Sequence, residues 1–294
     1  MKMEFEMDTY KSEIKPTWCP GCGDFAVLRA LQTAIHGLQL EPWNILIVSG
    51  IGCSSNLPHF LSTYGFHAIH GRALPVAEGA KLANPELNVI VTGGDGDGYG
   101  IGVGHFIHAM RRNFDITYVV MNNQIYGLTT GQASPTSEKG MKTKSTPIEG
   151  VIENPIDPIS LALASGATYI ARTFSGDVKT MAELVKGGIE HKGFALIDCL
   201  SPCVTYNKVN TYDFFRERVY DLAKEGHDPG DMKAAFAKAM EWPAVQRDRI
   251  PLGLFYRNKD LPTYEDLEIG LRKGPPVRQP LGIEDSDELM AEFL

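Results

Sequence analysis

Four short apolar, β-branched runs in this chain each lead into residues that bind phosphate or metal ions. That pairing constrains the fold more than any other feature. The runs are residues 44–48, 88–92, 116–121 and 194–198, and a fifth of the same kind spans 167–171. Runs of this length and composition read as strands buried on both faces, as in a parallel sheet. Helical periodicity fills the gaps. Residues 24–40 place Phe25, Leu28, Leu31, Ile35 and Leu38 on one face. Residues 102–112 and 158–164 form two further helices, and Asp177 is placed to cap a fourth running to about residue 191. Strand and helix in alternation predict an α/β fold, a parallel sheet with helices on both faces.

In open parallel sheets, ligands bind beyond the carboxyl ends of the strands. The first run is followed by Ser-Gly-Ile-Gly-Cys-Ser-Ser-Asn at 49–56 and the second by Gly-Gly-Asp-Gly-Asp-Gly at 93–98. The third leads into Asn122-Asn123-Gln124, and 194–198 into Cys-Leu-Ser-Pro-Cys at 199–203. Glycines let a loop turn tightly and present amides to an anion. Asp95 among them offers a hard oxygen to Mg²⁺, which takes few protein ligands beside phosphate and water. Asn122 or Asn123 on the next strand end supplies a second oxygen. A lone Gly-Asp-Gly is usually a surface turn, whereas its pairing with Asn-Asn at this spacing points to a diphosphate–Mg²⁺ site. No dinucleotide G-x-G-x-x-G or Walker-type G-x-x-x-x-G-K-[ST] pattern occurs.

The five cysteines, at 19, 22, 53, 199 and 203, are odd in number, and nothing suggests an oxidising compartment. Metal binding or catalysis is therefore a better reading than disulfides. Cys19-Pro-Gly-Cys22 alone fits zinc, iron–sulfur or a redox dithiol. With Cys53 and Cys203 it makes a dispersed set of four that closes only if the strand ends converge. The formal charge of −8 argues against nucleic acid or an anionic membrane as partner. No apolar run approaches a membrane span and the N-terminus does not read as a secretory signal, so a cytoplasmic, soluble protein is expected. The organisation expected is an N-terminal arm over 1–16, a cofactor domain over 17–210, and a C-terminal region over 211–294. In the last, two short amphipathic helices are expected near 211–224 and 228–241. A Pro-rich, acidic tail follows residue 257, either loosely ordered or lying on a partner subunit.

The Asp95-to-Asn123 pairing resembles the thiamine diphosphate (ThDP) motif, Gly-Asp-Gly followed some 25 to 30 residues later by Asn-Asn. W-C-P-G-C-G at 18–23, G-I-G-C-S-S-N at 50–56 and H-G-R-A at 70–73 extend the resemblance. So do G-D-G-D-G at 94–98, G-L-T-T-G-Q-A-S-P-T at 127–136 and S-P-C at 201–203. Together, in order and over roughly residues 15 to 210, they resemble the β-subunit of 2-oxoacid:ferredoxin oxidoreductases.

The resemblance implies Mg²⁺ held by Asp95, Asn123 and the carbonyl of Ile125. It implies one [4Fe–4S] cluster on Cys19, Cys22, Cys53 and Cys203, leaving Cys199 as a small buried apolar residue. ThDP contacts would come from Ile51, Gly52, Cys53 and Ser54, from His70 and Gly71, and from Asp95, Gly96 and Asp97. Asn123, Ile125, Gly127 and Leu128 would complete them, with Asn56 and Thr130 facing the substrate. The implied reaction is CoA-dependent oxidative decarboxylation of a 2-oxoacid to acyl-CoA and CO₂, or the reverse carboxylation, with electrons exchanged with ferredoxin. The activating glutamate and CoA binding would belong to an α-subunit, in an αβ or (αβ)₂ enzyme. 2-Oxoglutarate is the first choice of substrate, with pyruvate or branched-chain acids as alternatives. A distal carboxylate calls for a cation; His59, His67, Arg72 or partner residues are candidates. Arg111, Arg112, Lys142 and Lys144 read as a solvated face by default, with docking of an acidic ferredoxin as the alternative. The rival readings are a non-redox ThDP lyase with structural zinc and an electron-transfer subunit with a vestigial ThDP fold.

Overall fold

The computed structural model describes residues 4–245, 248–280 and 290–291. Eight strands form one sheet: β1 (Ile45–Ser49), β2 (Tyr64–His67), β3 (Asn88–Gly94), β4 (Thr117–Asn122), β7 (Tyr169–Phe174), β8 (Ala195–Leu200), β9 (Val219–Asp221) and β10 (Ile250–Arg257). Two more, β5 (Ile125–Tyr126) and β6 (Gln132–Ala133), make a small separate hairpin. The order in the large sheet is β2-β1-β3-β4-β8-β7-β10-β9. All neighbours pair in parallel except β10 with β7.

Strand alternation sends side chains to two apolar layers. Tyr118 and Val120 of β4 face a layer shared with helices α2 (Ala73–Ala83), α3 (Val103–Arg112), α4 (Pro158–Ser165) and α7 (Met232–Ala239). Val119 and Met121 face the opposite layer, covered by α1 (Asp24–Gly37) and α5 (Val178–Glu190). The five predicted strands and four predicted helices are all present within a few residues. Asp177 caps α5 by accepting from the Thr180 amide at 3.1 Å. Asp157 caps α4, Pro158 opens it, and Gly166 at φ +87° closes it.

The C-terminal region departs from expectation. The helix predicted near 211–224 is only α6 (Tyr212–Arg216); the chain then turns into β9, where Val219 and Tyr220 pair with β10. Local amphipathicity yields there to an open strand edge. The strand β10 was not anticipated, because Pro251 and Gly253 disguise it. Gly253 sits at φ +119°, and the ladder with β7 slips between Leu254 and Tyr256. Of the tail, α8 (Tyr264–Leu267) packs on this chain: Tyr264 stacks on Phe114 at 4.7 Å, and Asn113 donates to the Pro262 carbonyl. Residues 281–289 and 292–294 lie outside the described residues. The N-terminal arm is pinned by Tyr10, which is fully buried and donates to the Leu40 carbonyl at 2.8 Å.

Phe106 is wholly buried against the rings of Tyr99, Tyr118 and Phe194, beneath the glycine-rich segment after β3. Phe106→Ala is expected to cost about 3–5 kcal/mol of unfolding free energy. Chemical denaturation would measure it, and a loss below about 1 kcal/mol would show that this layer does not support the fold.

Candidate active site

Strands β1, β3, β4 and β8 are four consecutive neighbours, all parallel, so their carboxyl ends share one edge of the sheet. At about 4.8 Å per strand their tips span roughly 14 Å. The segments after them carry Cys53, Asp95, Asn123 and Cys203. Two adjoining cavities open there. One is lined by Asp24, the 51–54 loop, His70, the 94–97 segment, Asn123 and residues 125–129. The other is lined by Cys19, Cys22, Cys53 and Cys203 together with Trp18, Asn56 and Tyr206. Cys53, Asn123, Gly127 and Leu128 line both, so the cavities share a wall.

In the first cavity Asp95 is completely buried, and burial raises its carboxyl to about 6. One carboxylate oxygen accepts from the Thr136 hydroxyl at 2.6 Å, and the other from the Asn123 amide at 3.4 Å. The two asparagines point in different directions. Asn122 turns into the interior, donating to Asp198 at 3.0 Å, with its carbonyl oxygen 3.1 Å from the Thr136 hydroxyl. Asn123 faces the cavity, its carbonyl oxygen accepting from the Ile125 amide at 3.0 Å. Gln124, at φ +58°, makes the turn that reverses the two.

Asp97 lines the same cavity, but its carboxylate works mainly as a staple. One oxygen accepts from the Ile51 amide at 2.9 Å, the Gly71 amide at 2.8 Å and His70 Nδ1 at 2.7 Å. Two loops are thereby fixed to one residue, and His70 is oriented through its Nδ1. A Cβ at Gly50 would lie 1.8 Å from that carboxylate, and one at Gly96 would lie 2.3 Å from the Tyr126 ring. These glycines exist to let side chains in. Ser54 is buried beside Gly94 and its hydroxyl has no hydrogen-bond partner. Its position in the cavity fits a phosphoryl oxygen as the missing partner. An unused hydroxyl beside a desolvated carboxylate fits a diphosphate–Mg²⁺ group.

The four cysteines are assembled by specific bonds. Cys22 N donates to the Cys19 carbonyl in a tight turn, with Gly21 at φ +84°. Gly23 N donates to the Pro202 carbonyl, and a Cβ at Gly23 would clash with Ser201. Trp18 Nε1 donates to the Cys53 carbonyl at 2.7 Å. A Cβ at Gly127 would sit 3.4 Å from the Cys203 sulfur and 3.7 Å from that of Cys53. Burial pushes the Cys53 thiol up to about 12 and that of Cys22 higher still. Among the described residues no three His, Cys, Asp or Glu side chains close on one point as a single ion requires. The thiols ring a cavity instead. Cys199 is buried apart from them in the core under α1 and α5.

Two residues of the site were not anticipated. Thr136 stands within the 127–136 motif, but nothing local in the sequence shows that it reaches back 41 residues to Asp95. Asp24 follows the C-P-G-C-G knuckle, is wholly buried and lines the carboxylate cavity. One of its oxygens accepts from Ser201 at 2.6 Å and the other has no partner. Burial holds its carboxyl at about 6. Asn56 lines the thiol cavity, while Thr130 stands beside the cofactor cavity, following Thr129, which lines it.

The family description "Thiamine pyrophosphate enzyme, C-terminal TPP binding domain" matches residues 50–199. The family of the C-terminal part of pyruvate ferredoxin oxidoreductase beta subunits matches residues 203–273. The subunit beta of 2-oxoacid:ferredoxin oxidoreductase 1 from Aeropyrum pernix is 46% identical, covering 96% of this chain and 92% of that protein. A 2-oxoglutarate synthase subunit from Archaeoglobus fulgidus is 41% identical over 74% of this chain and 80% of its own length. A solved structure of 2-oxoglutarate:ferredoxin oxidoreductase from Magnetococcus marinus, with 2-oxoglutarate, coenzyme A and succinyl-CoA bound, contains a similar chain. The two superpose with a TM-score of 0.87 at 42% identity, over 98% of this chain and 96% of that one. With its thiamine pyrophosphate-binding domain built on these four strand tips, the chain belongs to the β-subunits of the 2-oxoacid:ferredoxin oxidoreductases.

Proposed function

We propose that this chain, with its α-subunit, oxidises 2-oxoglutarate in a CoA-dependent decarboxylation and passes the electrons through one [4Fe–4S] cluster to ferredoxin. The observation that carries this reading is the wall shared by the thiol cavity and the carboxylate cavity. A cluster held in the one cavity would stand beside a cofactor held in the other, with no intervening domain. In this reading Asp95, Asn123 and the Ile125 carbonyl hold Mg²⁺, while Ser54 and the loop amides hold the diphosphate. Cys19, Cys22, Cys53 and Cys203 hold the cluster. ThDP supplies there a carbanion and electron sink at the 2-oxo carbon. The protein's own work is positional: Asp97 sets the tautomer of His70 and the height of the 51–54 loop, and Thr136 aims Asp95.

Four thiols around a cavity suit a cluster, which takes one thiolate per iron, better than a zinc ion about 2.3 Å from every sulfur. The carboxylates lining the cofactor cavity are Asp24, Asp95 and Asp97, and no glutamate is among the described lining residues. Leu128 lines the cavity, Ile69 precedes its His70 and Ile101 lies against Gly71, and each is more than half exposed. An apolar rim around a site that lacks an activating glutamate supports an α-subunit that closes the mouth and supplies the acid. The relatives named for 2-oxoglutarate support that substrate over pyruvate.

The assembled complex should reduce ferredoxin with CoA and 2-oxoglutarate faster than with pyruvate or branched-chain 2-oxoacids, and the isolated chain should not turn over. A spectrophotometric assay across that panel tests both; dye reduction by the isolated chain would refute the need for a partner. Thr136→Val should weaken Mg²⁺-dependent ThDP binding by about 10–100-fold in calorimetric titration while leaving the iron and sulfide content unchanged.

Asp95 and Asp24, both wholly buried, also predict a pH signature. Their folded values of about 6 lie above the ordinary 3.8. Their stabilising contribution is therefore full below about pH 4 and lost as the pH rises through about 6, roughly 3 kcal/mol for each. Mg²⁺ with ThDP should raise the thermal midpoint far more at about pH 7 than at about pH 4, and Asp95→Asn should flatten the difference. Equal stabilisation at both pH values would remove the cation from Asp95.

A further inference from the structure

The charges lining the cofactor cavity are carboxylates, and no lysine or arginine is among the described lining residues. Yet the proposed substrates are anions. Lys144, which sequence alone assigns to a solvated face, is tied to the rim of this cavity at two points. Its ammonium donates to the Thr130 hydroxyl at 2.6 Å, and its backbone amide donates to the Gly131 carbonyl at 2.8 Å. Thr130 itself donates its amide to the carbonyl of Gly127 at 3.0 Å, and residues 127–129 line the cavity. Thr130 also stands at φ +76°, a left-handed conformation that a β-branched residue adopts only under constraint. Strain of that kind collects where a side chain must be aimed. Here it turns the hydroxyl toward the lysine.

We propose that Lys144, anchored by Thr130, receives an anionic group of the incoming substrates at the rim of the cofactor cavity. The group is a carboxylate or a phosphate: the distal carboxylate of a dicarboxylic 2-oxoacid or a phosphate of CoA. An ammonium has three donors. One is committed to Thr130, and among the described residues no carboxylate pairs with Lys144, which is exposed. Anchoring removes much of the rotamer freedom that a free lysine would lose on binding. It also sets a positive charge against the negative lining, so an anion is drawn to the mouth and its reacting end is left to the cofactor.

This inference rests on the function proposed above and deepens it. The test is steady-state kinetics of the αβ complex carrying Lys144→Gln, with 2-oxoglutarate, pyruvate and CoA each varied in turn. Loss of a charge-assisted contact should raise one KM by about 10-fold or more with little change in kcat. A rise confined to 2-oxoglutarate assigns the distal carboxylate. A rise in the KM for CoA, whichever oxoacid is used, assigns the phosphate. Unchanged constants for all three overturn the proposal. Thr130→Gly keeps the left-handed backbone without strain and deletes only the anchor; it should move the same constant in the same direction. A null effect there, with intact cluster content, would also count against it. Turnover by the unaltered complex is scored separately. Its absence with every 2-oxoacid would defeat the parent function, whereas turnover that is indifferent to Lys144 defeats only this inference.

Discussion

The parallel register of β1, β3, β4 and β8 is the constraint on which the rest of this structure depends. Each strand alone delivers one unremarkable loop. In register, they bring a thiol, a carboxylate, a carboxamide and a second thiol to one edge within about three strand spacings. A slip of one residue in β3 would exchange its two faces. Val91, now packed with Tyr118 and Phe106, would trade places with Thr92, and Asp95 would turn away from Thr136. The apolar layers on both faces therefore do more than stabilise the sheet: they specify where the site's ligands stand.

The site is also where the fold gives up stability. Three carboxylates line one cavity, and all three are buried. Asp97 is compensated by two backbone amides and an imidazole. Asp24 and Asp95 are not compensated to the same degree, and their raised carboxyl values are the measure of it. Burying charge without a partner is costly. A fold keeps such groups where a ligand will supply the missing charge; in the function proposed above, a divalent cation carrying a diphosphate supplies it for Asp95. The thiols follow the same logic. Burial favours their neutral forms, so they become good ligands only when metal displaces the protons.

Much of this was legible in the sequence because parallel strands are continuous apolar runs and their ends announce themselves with Gly, Asp, Asn and Cys. The four cysteines could be grouped because each predicted strand end needed only to converge. What stayed hidden depended on tertiary pairing. β2 has all four residues exposed, so Tyr64–His67 carries no burial pattern to read. β10 is broken by Pro251 and Gly253. The helix expected through residue 224 lost to strand pairing at Val219–Asp221. The opposite orientations of Asn122 and Asn123 turn on a single left-handed residue, Gln124, whose conformation no periodicity encodes. Asp97 illustrates the limit most clearly. The G-D-G-D-G motif marks both aspartates as cofactor residues, but only the folded chain shows that one carboxylate oxygen of Asp97 is taken up in tying the cavity's walls together.

The same folded arrangement bears on how work is divided between subunits. The strand tips of one sheet, with the turn that opens α1, carry every group assigned here to the cluster and the diphosphate. In the proposed function, the spacing between those groups is set within this chain by the ladders of the sheet. The mouth is built differently. It is apolar at Ile69, Ile101 and Leu128, strained at Thr130, and the lysine anchored there stands on a loop outside the sheet. Loops tolerate change where strand tips do not. In the proposed function, electron transfer and the choice of 2-oxoacid would then depend on separate parts of the fold, so the rim could change while the strand tips stayed as they are.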